Sequence, residues 1–577
     1  RPSSANNVKF LGTTRLKSGP APQKSATPFL RKSLEVDETF DIPGANGNNS
    51  PARVKAAHVP FVSGNPIAGG SFSGFEGLTE FEQAYLVFPG IDGVNGELEP
   101  PDQGLAVGNG FVVEAINDAI AAWDTSGDFL AAEALNPFFG QAPEATIDPA
   151  TGAIVSFGPF LTDPRVLYDA STGRFFVSVG EIDTDPATGN FGSAAHLLIA
   201  VSVDANPLDG FNIFSLDITN DGDARFGACP CFGDEPLVGF DANGFYISTN
   251  AFSISALTFR GAQLYAISKT ALETIPIPAT VAQHFGNLNQ AEGPGHSIQP
   301  AFVPPSGAFA SDLGGTEYLV SSLDFTHTLD NRLTVWAMTN TSSLNTTPAL
   351  TLVNVVIDTE TYGPPPDTEQ MAGPTPLLDL IASALGVKNH EELLSDGDDR
   401  LQQVTFANGM LWTSVPTVVQ TAQGPVRAGA AWFILTPSVG DAQVNATVSN
   451  QGYVAINSPK QDGVLYPAVG VNALGKAVIA FSIAGDDFFP SAAYAPLDAV
   501  NGAGPVVISF NGVAPDDGFS AYRPFGPDVR GARWGDYSAA VSDEAGDLWM
   551  GAEVIPTEQA PFVPFANWGT FITNITP

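Results

Sequence analysis

Four acidic residues, Asp102, Asp163, Glu235 and Asp536, stand in short polar clusters that recur along a 577-residue chain, and Tyr537 follows the last of them directly. Paired carboxylates such as Asp102 with Glu235, or Asp163 with Asp536, can serve as a general acid and a base or nucleophile. Glycoside hydrolysis uses such a pair when the two groups lie about 5 to 9 Å apart. Arg165, Arg400 and Arg533 sit in equivalent clusters, and guanidiniums grip a sugar carboxylate through paired hydrogen bonds. Trp534 or Tyr537 offers a flat face to a sugar ring, and Gln299, Gln402 and Tyr466 add polar groups at matching places. The same inventory also suits a structural role, in which buried polar groups close strand ends on one another and on water.

A second chemistry is suggested by LDITNDGDARFG, residues 216 to 227. Asp217, Thr219, Asp221 and Asp223 alternate around Gly222, like the first half of an EF-hand-type calcium loop, although Ala228 stands where that loop needs its bidentate Glu. Calcium is the only cofactor expected, and the six scattered histidines show no zinc spacing. Cys229 and Cys231, the only cysteines, form a C-x-C pair. A local disulfide, an inert thiol pair and a soft-metal site are all open to it.

Such residues need elements to hold them, and the chain repeats one phrase: a polar start, a short apolar run, a turn with Asp, Asn or Gly, and a second apolar run. The phrase occurs at Pro101, Asp163, Asp234, Gln299, Leu401, Tyr466 and Asp536, in stretches such as DPRVLYDASTGRFFVSV and LQQVTFANGMLWTS. It reads as a β-hairpin, with the turn residues where a tight turn needs positive φ or an Asx bond. Each copy is followed by further apolar strands, for example HLLIAVSVD and AAWFILT. A unit of roughly 60 residues with four short strands is a propeller blade. The seven copies predict an all-β, seven-bladed β-propeller, with a pair of smaller β-domains as the rival architecture. The polar clusters then fall at the starts of the inner strands, which converge on one mouth.

SDEAGDLW, residues 542 to 549, resembles a degenerate Asp-box, the hairpin motif of sialidase-like propellers, with altered spacing between Ser542 and Asp543. The Arg-Ile-Pro motif of sialidases is absent, so the resemblance implies a propeller hairpin and not sialic acid chemistry. DPRVLYD, the Asp-Glu-Pro stretch and RWGDYSA look more broadly like secreted bacterial seven-bladed β-propeller proteins of unassigned activity.

Residues 1 to 80 read as an extended N-terminal arm and 81 to 577 as the propeller, interrupted by an insertion at 362 to 399 whose PTPLLDLIASALG is the one expected helix, opened by Pro and closed by Gly386. Residues 1 to 55 hold nine Lys or Arg and four Asp or Glu, a net of +5; the whole chain carries −38, which leaves −43 for the rest. A basic arm is thus tethered to an acidic body, which favours electrostatic docking in cis or onto a neighbouring copy. The acidity argues against nucleic acid as a partner. No apolar run approaches the roughly 18 residues of a membrane span, and the start at Arg1 reads as a processed, exported chain. No nucleophile elbow, P-loop or dinucleotide fingerprint occurs.

Two functions follow as expectations. The first is a noncatalytic extracellular surface or matrix protein that forms a homo-oligomer or filament through its arm. The second is an extracellular carbohydrate-active enzyme, a glycosidase or lyase, that acts on a polysaccharide at the mouth. An open mouth would favour the enzyme, and a mouth plugged by the insertion or the arm would favour the assembly protein.

Overall fold

The computed structural model describes residues 1–17, 58–87, 99–148, 150–151, 153–290, 293–323, 328–385, 393–440, 443–518, 520, 522, 532–557 and 566–577. The chain repeats an antiparallel meander of four strands. Six inner strands begin these units in turn, β3 (Gly104–Gly108), β4 (Phe160–Asp169), β5 (Cys231–Phe240), β6 (Gln299–Phe302), β7 (Val404–Ala407) and β8 (Asp462–Val471), and β9 (Ala539–Ser542) begins the last. Each inner strand packs on the next, β9 returns to β3, and the ring closes. Strands of this kind, radiating from a closed inner ring, make a β-propeller.

Apolar side chains from the faces of successive meanders interdigitate. Val113, Ile120 and Phe138 of the first pack with Val166, Val177 and Leu198 of the second. Trp412 and Ile434 of the fifth pack with Val469, Ile479 and Phe481 of the sixth. Sheets buried on both faces read as continuous apolar runs rather than alternating ones, as in AVIAFSIAG, whose residues are all buried.

The hairpin turns behave as their residues dictate. Asn109 and Gly110 adopt φ of 51° and 81°, and Asn408 and Gly409 adopt 53° and 73°, the left-handed pair of a type I′ turn. Where Asp replaces Asn, its carboxylate bonds the turn: Asp543 Oδ1 accepts from Ala545 N–H at 2.9 Å, and Trp549 Nε1 donates to Asp543 Oδ2 at 2.9 Å. The Asp-box-like segment is therefore a working hairpin turn with its Trp tied to its Asp.

The N-terminal region enters the sheets. β1 (Ser4–Thr14) pairs antiparallel with outer strand Phe211–Asp217 on one edge and with outer strand Thr280–Phe285 on the other, stitching the second and third meanders into one nine-stranded sheet. Backbone pairing carries this docking. Among the described residues an ion pair accompanies it, from exposed Lys17 to buried Glu133 at 2.6 Å. β2 (Ser73–Thr79) pairs with Gly569–Ile575 and supplies the outer strand of the last meander. Residues 18 to 57 of the expected arm lie outside the described residues.

The expected helix is present as Pro376–Leu385, while Gly386 lies outside the described residues. It is not the only helix: α1 (Glu80–Val87) follows β2, and short turns of helix occur at Leu135–Phe138 and Lys269–Glu273. α1 is held by a capping box, in which Thr79 N–H donates to Glu82 Oε2 at 3.0 Å and Glu82 N–H to Thr79 Oγ1 at 3.3 Å. Among the described residues, no helix is long and apolar enough to cross a membrane.

Candidate functional site

Six meanders place a non-glycine residue with positive φ at the same point near the start of the inner strand. These are Asp102 (50°), Asp163 (58°), Glu235 (45°), Ser297 (40°), Tyr466 (49°) and Asp536 (49°). Such a conformation costs about 1 to 2 kcal/mol per residue, and strained residues cluster where surrounding structure over-determines them. The register slips at the same points, between Asp234 and Leu237 in β5 and between Leu465 and Ala468 in β8. Each bulge turns one polar side chain out of the ladder.

The turned-out backbone is held by a side chain from another part of the mouth. Asp163 N–H donates to Asn117 Oδ1 at 3.1 Å, Glu235 N–H to Asp163 Oδ2 at 3.1 Å, and Ser297 N–H to Asn250 Oδ1 at 2.9 Å. Asn117 Nδ2 also donates to Asp102 Oδ2 at 2.7 Å. Asp102, Asp163 and Glu235 are therefore links in one hydrogen-bonded chain that crosses three meanders.

Arg400 and Arg533 are ion-paired within the protein, while Arg165 Nε and Nη2, Tyr537 Oη and Trp534 Nε1 are buried without a hydrogen-bond partner among the described residues. Arg400 donates to Glu235 Oε2 at 2.5 Å and grips Asp398 through Nε and Nη2 at 2.7 and 2.6 Å. Arg533 pairs with Asp536, whose other oxygen accepts from Tyr466 Oη at 3.4 Å. The Arg165 guanidinium lies 3.3 Å over the Tyr537 ring, a cation–π contact in a desolvated setting. Trp534 is fully buried and offers no face to a ligand.

The insertion returns over this mouth. Leu377 and Leu378 N–H groups, at the helix start, donate to the Asp517 carboxylate at 2.6 and 3.1 Å. Asp396 Oδ1 accepts from Tyr466 N–H at 2.8 Å, and Leu394 bridges Thr368 and Ala532. Along the axis, Gln103, Arg165, Gln299 and Gln402 surround a cavity of about 30 Å³, room for about one water.

Burial sets the electrostatics. It pushes the Asp396 carboxyl well above its usual range. Asp398 is desolvated too, but the charge and hydrogen bonds of Arg400 outweigh that and hold it below the ordinary value. The Tyr537 phenol is pushed well up by burial and then by the charges of Asp163 and Glu235. Glu114, which accepts from Leu78 N–H, Thr570 Oγ1 and Gln103 Nε2, is raised by burial to about 7.

The four residues of the calcium-like loop do not turn to a common point. Asp217 Oδ1 caps Thr219 N–H at 2.9 Å, Thr219 Oγ1 bonds Ala195, and Asp223 pairs with Arg225. Asp221 Oδ2 accepts from Asn6 Nδ2 at 2.7 Å and from Tyr265 Oη at 3.0 Å, so this loop anchors β1. Among the described residues no group of three His, Cys, Asp or Glu is placed to hold a metal. Cys229 and Cys231 form a disulfide, which resolves the three alternatives open to the pair.

Several residues of the mouth escaped the sequence reading. Asn117, Asn250 and Asp396 carry no spacing signal, because each acts on a strand far away in the chain, and Asp398, which grips Arg400 two residues on, was passed over. Glu114 does carry one: a lone Glu inside the apolar run FVVEAI is conspicuous, since Glu is almost never buried without a partner.

No protein-family model matches the chain, and no curated protein matches it. Among solved structures, it is similar to a protein of unknown function from Dyadobacter fermentans, at 10% identity over 72% of this chain and 94% of that one, with a TM-score of 0.31. It is similar to a Trypanosoma rangeli sialidase in complex with difluorosialic acid, at 9% identity over 74% of this chain and 56% of that one, TM-score 0.30. A GH43 β-1,3-galactosidase with galactodeoxynojirimycin aligns at 10% identity over 63% and 95%, TM-score 0.27. Scores this low say nothing of activity.

Proposed function

We propose that this chain is a seven-bladed, noncatalytic extracellular propeller, a surface or matrix protein that self-associates through its N-terminal arm. The observation that carries the reading is the state of the mouth. Asp102, Asp163, Glu235 and Asp536 each have a protein partner, the insertion caps Tyr466, and about 30 Å³ remains on the axis. The Cys229–Cys231 disulfide supports an oxidising, extracytoplasmic setting.

The arm supplies the means of association. A strand that pairs on both edges with two outer strands is an augmenting strand, and the slot between Phe211–Asp217 and Thr280–Phe285 takes it equally well from its own chain or from a neighbour. Donation from neighbour to neighbour is heterologous and builds a ring or an open filament.

Light scattering on the full chain and on a form lacking residues 1–17 tests this. The expected result is an assembly, larger than the 60.1 kDa of one full chain, that falls to particles of single-chain mass on losing β1. Particles of single-chain mass in both forms would overturn it.

A further inference from the structure

An open groove of about 650 Å³ lies between the outer strands of the fifth and sixth meanders, and residues 61–66 form one wall of it. That wall is tied down. Val62 N–H donates to Gln420 O at 2.8 Å, Gln420 N–H to Pro60 O at 2.8 Å, and Asn65 N–H to Ala455 O at 2.7 Å. Asn65 bonds again through its side chain, donating to Gly504 O at 2.8 Å and accepting from Ala455 N–H at 3.2 Å. The segment forms isolated parallel bridges at Phe61 and Asn65, so the groove is a built feature of the rim.

Its lining combines aromatic side chains with unused amide groups. Phe61 is 72% exposed, Trp432 lies beneath at 3%, and Tyr453 fixes the far side through its hydroxyl on Thr361 O at 2.7 Å. The backbones of Gly452 and Gly502 pack directly on that indole, since a Cβ at either would stand 2.8 or 3.1 Å from its Cζ2. Trp432 Nε1 is buried without a hydrogen-bond partner. Gln451 accepts from Glu360 N–H through Oε1, and among the described residues its Nε2 has no partner. Asn501 gives its Nδ2 to Asp498 and keeps Oδ1 for a donor.

No charged side chain lines the groove, on a chain with a net charge of −38. A polyanion is repelled by the surrounding field, and a cation finds no carboxylate within the lining. A ligand for this groove is neutral, has flat C–H faces for the aromatics, and carries hydroxyls that both donate and accept. We propose that the groove binds a neutral oligosaccharide chain. The volume falls in the range of roughly 300 to 1,000 Å³ typical of small-molecule sites, and its exposed lining is more polar than apolar, which suits a hydroxyl-rich ligand. This site is separate from the arm strand β1, and removal of residues 1–17 leaves its wall in place, so the assembly proposal and this one fail independently.

Calorimetric titration of the full chain tests it, with neutral hexasaccharides of glucose, mannose and xylose, and with oligogalacturonate as the charged control. The expected result is one-to-one binding of at least one neutral chain. Phe61→Ala and Gln451→Ala, both at groove positions outside the core, should each weaken it by about tenfold with unchanged melting, and oligogalacturonate should give no binding heat. Three results would each overturn the proposal: no neutral chain binding up to roughly 10 mM, affinity unmoved by both variants, or oligogalacturonate binding as tightly as the neutral chains. A concentration-dependent particle mass abolished by Phe61→Ala would also overturn it, by assigning the groove to a second copy of the chain.

Discussion

The mouth and the rim groove are both lined with polar and aromatic residues, but they treat them in opposite ways. At the mouth two arginines are matched, Arg400 between Glu235 and Asp398 and Arg533 on Asp536, while Arg165 stacks on Tyr537 with its Nε and Nη2 buried and unbonded among the described residues. At the rim the described lining is uncharged and open, and two amide atoms, Gln451 Nε2 and Asn501 Oδ1, are left for a ligand. Residue type alone made the mouth look chemical. The partners held by Asp102, Asp163, Glu235 and Asp536 support the framework reading proposed above.

Breaking the mouth should have the largest effect. Arg400→Ala leaves Glu235 and Asp398 buried without their cation, and removing one partner of a buried pair costs about 3 to 5 kcal/mol. Urea unfolding should show that loss, and a change below about 1 kcal/mol would mean that the pair is solvated.

Next comes pH. Glu114 is raised from 4.5 to about 7, so between those values the folded state holds a proton that the unfolded state has released. Stability therefore falls as pH rises across about 4.5 to 7, by on the order of 1 to 3 kcal/mol from this group. Glu80 and Asp516, both raised by burial to about 8, extend the decline. Melting followed from pH 5 to pH 8.5 should show it, and Glu114→Gln should flatten its lower part.

Smaller effects belong to the turns and caps. Asp543→Ala removes the Asx bonds and strands the Trp549 indole, at about 1 to 3 kcal/mol. Thr79→Ala opens the capping box of α1 at about 1 kcal/mol. Both are read by denaturant unfolding. Smallest is the rim, where Phe61→Ala should change stability by no more than about 0.5 kcal/mol while it weakens the ligand; a larger destabilisation would make Phe61 a packing residue.

Local code in this chain was legible. The hairpins could be read because Asn109–Gly110 and Asn408–Gly409 state their turn type in two residues, and the repeat of that phrase gave the propeller. The axial cluster could be read as a place, since Asp102, Asp163, Glu235 and Asp536 hold the same position in their copies. Its role could not, because the deciding groups, Asn117, Asp396 and the helix start at Leu377, reach their partners through tertiary contacts. β2 was hidden for a similar reason: SGFEGLT has weak strand character and becomes a strand by pairing with Gly569–Ile575. α1 was legible in principle, since Thr79 and Glu82 spell a capping box just before it.

The measurement that tests the central claim most directly is the unfolding free energy of Glu235→Gln against the unaltered chain. Strained catalytic groups often cost stability, and replacing them leaves a protein as stable or more so. A mouth that is framework predicts the reverse, a loss of roughly 2 to 4 kcal/mol as Arg400 loses its partner. A variant as stable as the parent, or more stable, would contradict the account and return the axial carboxylates to chemistry.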